Sequence, residues 1–77
     1  MEKGARRMNW LSRSIFDVLQ STNRWVTPSE VYVLLRLAQL PRDFTKQAVK
    51  GSLWRMAKAG EIQGQGDGIY AAPGISR

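Results

Sequence analysis

The absence of both cysteine and histidine from this 77-residue chain constrains its fold more than any other feature. There are no disulfides, and there is no ordinary zinc site, so the fold must be held by the packing of apolar side chains alone. A chain this short buries only about 60–65% of its extended surface, which requires a compact core. The hydrophobic content of 43% suits one small globular domain and excludes a multidomain enzyme.

The charge balance is strongly basic. Lys and Arg number 12 against 6 Asp and Glu, a net charge of +6 that favours an anionic partner. The longest apolar run, residues 31–35, is far below the roughly 20 residues that cross a bilayer, and no apolar segment follows the charged start. We therefore expect a cytoplasmic protein that does not bind membranes.

Apolar spacing and capping signals predict two helices in the first half of the chain. The first is amphipathic from about Leu11, with Ser12 or Asn9 as its N-cap. Thr27 and Glu30 form a capping box at the start of the second, which extends to about Gln39. Residues 24–26, between the two helices, favour a short stub of strand.

The second half of the sequence predicts a third helix and a hairpin. Thr45 caps a helix over residues 46–59, and Gly60 occupies the position of a left-handed C-terminal cap. Strands at residues 61–63 and 69–71 flank a glycine-rich turn, which leads into a strand and so is not a phosphate loop. We predict a basic arm at residues 1–8, a domain at 9–72 and a frayed tail at 73–77.

This order of elements resembles the winged helix-turn-helix family of DNA-binding domains. Three stretches carry the resemblance: residues 25–31, the third helix with its caps at 45–60, and the hairpin strands within 61–70. It covers about residues 10–72 and implies a mainly α fold with a small β-hairpin: helix, strand stub, helix, helix, two-stranded wing. The implied function is that of a small DNA-binding protein, a transcriptional regulator whose third helix enters the major groove of double-stranded DNA.

The outward face of the third helix is the candidate DNA-binding surface. When successive residues are placed 100° apart around the helix axis, the apolar residues face inward. The outward face then holds cations that suit phosphates, Gln47 that suits base edges, and Gly51 where the helix backbone can approach DNA closely. The predicted DNA-binding residues are seven on the third helix and one cation, Arg24, before the second helix. They are Lys46, Gln47, Lys50, Gly51, Trp54, Arg55, Lys58 and Arg24. An ordinary solvated face, tight packing of Gly51 against the second helix, and packing of Trp54 under the wing are the alternatives.

Surplus apolar positions on the second helix predict a homodimer through Val33, Leu37 and Leu40. The alternative function is a winged-helix module that binds another protein, and RNA binding is a weaker third hypothesis. The six carboxylates are scattered and the serines have no histidine to activate them. We therefore expect no enzymatic activity, no cofactor, no metal and no small-molecule substrate.

Overall fold

The computed structural model describes residues 10–40, 42–64 and 68–75. The elements along the chain are α1 (Trp10–Thr22), α2 (Pro28–Leu37), α3 (Lys46–Lys58), β1 (Gln63–Gly64) and β2 (Tyr70–Ala71). The predicted class, mainly helical with a two-stranded antiparallel hairpin, is confirmed. The predicted arm at residues 1–8 and the tip of the hairpin at 65–67 lie outside the described residues.

The first helix begins earlier than its predicted cap. Trp10 is already helical and packs against the core, so Ser12 lies inside the first turn and is buried. Ser12 as the N-cap is therefore wrong, and Asn9 lies outside the described residues. The helix ends where Asn23 adopts a φ of 58° and donates its N–H to the carbonyl of Leu19 at 3.0 Å. Asparagine tolerates this left-handed conformation better than most residues.

The predicted capping box opens α2. The Glu30 N–H donates to Thr27 Oγ1 at 3.2 Å, and the Thr27 N–H donates to Glu30 Oε1 at 3.1 Å. The helix ends at Leu37, two residues before the prediction, because Gln39 has a φ of 55° and cannot continue it. Thr45 caps α3 through its side chain, as predicted.

A Schellman motif ends α3. The Glu61 N–H donates to the Met56 carbonyl at 2.9 Å, and the Gly60 N–H donates to the Ala57 carbonyl at 3.1 Å. Gly60 has a φ of 83°, which glycine adopts at little cost. The prediction of a left-handed cap at this residue is confirmed.

The hairpin is joined to the segment between α1 and α2. Gln63 pairs with Ala71, and Gly64 pairs with Tyr70. Tyr70 also pairs with Val26 across an isolated antiparallel bridge, in which each N–H reaches the other carbonyl at 2.8 Å. The predicted strand stub is thus a single bridging residue, and β2 lies between it and β1.

One core joins the three helices to the hairpin. Its buried members are Leu11, Ile15, Leu19, Val26, Val31, Leu35, Val49, Leu53, Met56, Ile62 and Ala72. Ile75 packs against this core, and the Gln63 side-chain amide donates to the carbonyls of Ala72 at 3.0 Å and Ile75 at 2.8 Å. The packed part of the chain therefore continues through residue 75, into the segment predicted as a frayed tail.

Gly64 lets the hairpin approach α3 closely. A Cβ atom at this position would lie 2.8 Å from the Ala57 Cβ and 3.3 Å from the Tyr70 ring, closer than van der Waals contact allows. A residue without a side chain is therefore required where β1 crosses α3.

Candidate nucleic-acid interface

The third helix divides into a buried side and a solvent side. Val49, Ser52, Leu53 and Met56 face the core. Seven of the eight predicted site residues lie on the opposite side, which we call the α3 face: Lys46, Gln47, Lys50, Gly51, Trp54, Arg55 and Lys58. All are exposed except Gly51, which is partly buried. The 100° spacing used on the sequence thus assigned the two sides of this helix correctly.

The α3 face carries four cations, and α3 itself contains no carboxylate. Within the described ranges, ion pairs join Arg24 to Glu30 and Arg36 to Asp43, and none involves a cation of α3. The positive charge of the α3 face is therefore not neutralised by a described carboxylate, and its field extends into solvent.

Trp54 is exposed at the centre of this face. The residue is 57% exposed, and it is not among those that pack against the core. The Lys58 ammonium nitrogen lies 4.8 Å from the centroid of its ring, within the range of a cation–π interaction. In the described residues Trp54 is thus exposed to solvent and is not packed under the hairpin.

Gly51 has room for a side chain. A Cβ atom there would meet only the Arg55 Nη1, at 3.4 Å, so this glycine does not serve close packing against α2. Arg55 Nη2 lies 3.4 Å from Ser52 Oγ, which places the guanidinium back along the helix, beside the glycine.

An open groove of about 650 Å³ runs beside the α3 face. Its described walls include Trp10 at the start of α1, Phe44 before α3, and Gln47, Gly51 and Arg55 on α3 itself. The cationic face is thus continuous with a concave surface that has an aromatic wall.

An aromatic cluster fixes the link that precedes α3, and sequence reasoning did not find it. Phe44 contacts Trp10 at 6.3 Å and Tyr32 at 5.6 Å between ring centroids, both edge to face. The Arg36 guanidinium lies over the Tyr32 and Phe44 rings and forms an ion pair with Asp43 at 3.0 Å. These partners come from three separate parts of the chain, so no local sequence pattern brings them together.

Arg24 is the predicted site residue that lies away from α3. It donates to Glu30 Oε2 at 3.0 Å, beside the capping box of α2. The Thr27 backbone N–H, and after it Arg24, lower the pKa of Glu30 below its ordinary value. Because the charge of Arg24 is paired with Glu30, the contact that the structure shows for this residue is with the start of α2.

The predicted dimer residues fall into two environments. Val33 and Leu37 lie one turn apart on α2 and are 53% and 73% exposed. Leu40 is partly buried and packs against the chain's own core, so it does not extend that exposed pair.

In residues 10–40, 42–64 and 68–75, no three acidic side chains come together as metal ligands would. The three helices have 13, 10 and 13 residues, and none is long and apolar enough to cross a membrane. No protein-family model matches the chain, and no curated protein or solved structure matches it. Any functional assignment therefore depends on the residues and geometry of this chain.

Proposed function

We propose that this protein is a winged-helix DNA-binding domain, and that it acts as a transcriptional regulator by inserting α3 into the major groove. One observation carries the proposal: the α3 face has four cations and no carboxylate, and its cations form no ion pair within the described residues. Duplex DNA carries about one negative charge per 1.7 Å of its axis, so such a helix is complementary to it in charge.

The arrangement of elements supports the fold part of this proposal. Three helices share one core, a strand stub at Val26 between the first two helices pairs with β2, and β2 pairs with β1 in the hairpin that follows the third helix. This agrees with the order that the winged-helix resemblance implies. The hairpin lies against α3 at Ala57, as a wing beside a recognition helix would.

The side chains of the α3 face divide by chemistry. Lys46, Lys50, Arg55 and Lys58 supply charge for phosphates, and Gln47 supplies an amide for base edges. Gly51 adds no side chain in the middle of the face, where the Arg55 guanidinium is the group nearest to the place of a Cβ atom. A glycine inside a helix costs about 0.8–1 kcal/mol relative to alanine, and close approach to DNA is a compensating reason for it.

The test compares two variants with the same net charge. Lys50→Ala with Arg55→Ala, and Arg13→Glu on the exposed side of α1, each lower the net charge from +6 to +4. We expect the double variant to bind a 20-base-pair duplex at least about tenfold more weakly than Arg13→Glu at low salt, because it removes cations at the interface itself. Fluorescence anisotropy measures both affinities, and circular dichroism checks the folds. Equal affinities would place the interface elsewhere.

Dimerisation on paired half-sites belongs to the same proposal. One small module buries little DNA surface, and two copies in register raise specificity. The exposed pair Val33 and Leu37 supports α2 as the contact. Sedimentation of the protein at tens of micromolar, alone and on DNA, tests it, and a monomer under both conditions would contradict it.

A module that binds another protein is the second candidate. The exposed indole of Trp54 favours it, because exposed tryptophan is enriched at protein interfaces. A protein-binding module would show little affinity for duplexes even at low salt, whereas the DNA-binding domain binds them.

A further inference from the structure

Two uncharged side chains of the α3 face, Gln47 and Trp54, have groups that can contact base edges. Gln47 is exposed and makes no hydrogen bond with a described residue, and Trp54 is 57% exposed. They lie on the same side of the helix, about 10 Å apart along its axis at a rise of 1.5 Å per residue. That distance is well above the rise of about 3.4 Å per base pair. The two residues are therefore placed to meet different base pairs.

The chemistry of Gln47 favours adenine. In the major groove adenine presents an acceptor and a donor, which match the two ends of a glutamine amide. Guanine presents two acceptors, which suit arginine or lysine. Two of the four cations of the α3 face lie against other side chains: Lys58 lies over the Trp54 ring, and Arg55 lies back towards Ser52.

The chemistry of Trp54 favours thymine. Lys58 lies over its ring, and because the residue is 57% exposed, apolar ring surface also faces solvent. The apolar group that bases present in the major groove is the thymine methyl. Gly51, between Trp54 and Gln47, adds no side chain that would hold the helix away from the bases.

We infer that α3 reads A·T base pairs through the major groove, with Gln47 bonded to adenine and Trp54 in contact with a thymine methyl. This inference rests on the proposed function, because it requires that α3 binds duplex DNA. The inference adds to that function the base pairs that the protein prefers and the two residues that cause the preference.

The first measurement compares duplexes of equal length and charge. The protein should bind an A·T-rich duplex more tightly than a G·C-rich one, by roughly five- to 150-fold for each well-read base pair. Inosine in place of guanine gives a duplex that resembles G·C in the major groove and A·T in the minor groove. We expect it to bind as weakly as the G·C duplex.

The second measurement removes the methyl group alone. Replacing thymine by uracil in the A·T duplex keeps every hydrogen-bonding group of the base pair. We expect affinity to fall about fourfold for each methyl that Trp54 contacts, the value for one buried carbon group.

Variants assign each preference to its residue. Gln47→Ala should reduce the preference for A·T over G·C, and Trp54→Ala should remove the difference between thymine and uracil. Gln20→Ala, on the exposed side of α1, is the matched control and should change neither.

The outcomes separate this inference from the function beneath it. Tight duplex binding without an A·T preference, or with no loss on uracil exchange, would overturn the base reading and leave the proposed function intact. A uracil effect that persists in Trp54→Ala would overturn the role of that residue. No binding to any duplex at low salt would overturn both proposals.

Discussion

Two glycines that look alike in the sequence have opposite surroundings. The solvent side of Gly51 is open, with only the Arg55 guanidinium near the place of a Cβ atom. At Gly64 the same atom would overlap the Ala57 methyl group, because the hairpin crosses α3 there. One glycine is free to change as far as the fold is concerned, and the other is not.

Alanine substitution should therefore act in opposite directions at these two positions. We expect Gly51→Ala to raise the free energy of unfolding by up to about 1 kcal/mol, since alanine is the better helix former and meets no obstacle. Gly64→Ala should lower it by roughly 1–3 kcal/mol through overpacking. Urea unfolding at pH 7 measures both, and a loss of stability in Gly51→Ala would contradict this assignment.

Glu30 links the start of α2 to pH. Folding lowers the pKa of its carboxyl group, chiefly through the Thr27 N–H and then through Arg24. The unfolded chain therefore binds this proton more readily than the folded one. The stabilisation is complete above the unfolded-state pKa of about 4.3 and is lost as pH falls through the lower folded-state pKa.

Glu30→Gln isolates this charge, because glutamine can still complete a capping box. We expect the variant to be less stable than the wild-type protein at pH 7, and we expect the gap to close as pH falls below about 4. Urea unfolding at a series of pH values measures it. A gap that stays constant down to pH 2 would show that the carboxylate charge is not the cause.

At the scale of the elements, local signals in the sequence correctly predicted the starts of α2 and α3 and the end of α3. The capping residues Thr27 and Thr45 and the left-handed Gly60 each act within a few residues, so they can be read directly from the chain. The predicted start of α1 was wrong. The helix begins at Trp10, two residues before Ser12, and Trp10 packs against the core. Tertiary contacts, which one sequence does not show, decided that end.

One part of the candidate site could also be predicted from the sequence, and another part could not. The 100° spacing separates the buried and exposed residues of α3 from sequence alone, since a helix repeats its orientation regularly. The groove beside it was not predictable, because Phe44, in the link before α3, meets Trp10 of α1 and Tyr32 of α2 through tertiary contacts that one sequence does not show.

The contacts of Phe44 predict that the aromatic cluster holds the first turn of α3. We expect Phe44→Ala to lower the free energy of unfolding by roughly 2–3 kcal/mol and to speed amide exchange at Ala48 and Val49, whose N–H groups donate to Thr45. Trp54→Ala removes a larger but exposed ring and should change stability by no more than about 0.5 kcal/mol. Equal effects of the two substitutions would contradict a role for the cluster in docking α3.

At the scale of the whole molecule, charge is distributed unevenly. Arg24 and Arg36 are paired with carboxylates in the described structure, whereas the four cations of α3 are not. Within the described residues α3 thus presents four cations without a carboxylate partner, and this charge attracts a polyanion to the α3 face. The same helix supplies the wall of the groove and the residues proposed to read base pairs, so attraction and recognition share one surface.

A salt titration of duplex binding tests this account most directly. If the four cations of α3 meet four phosphates, the slope of log affinity against log salt should be about −3.6, and it should fall to about −1.8 when Lys50 and Arg55 are both alanine. A double variant that keeps the slope and affinity of the wild-type protein would contradict the account. Wild-type protein that binds no duplex even at low salt would contradict it as well.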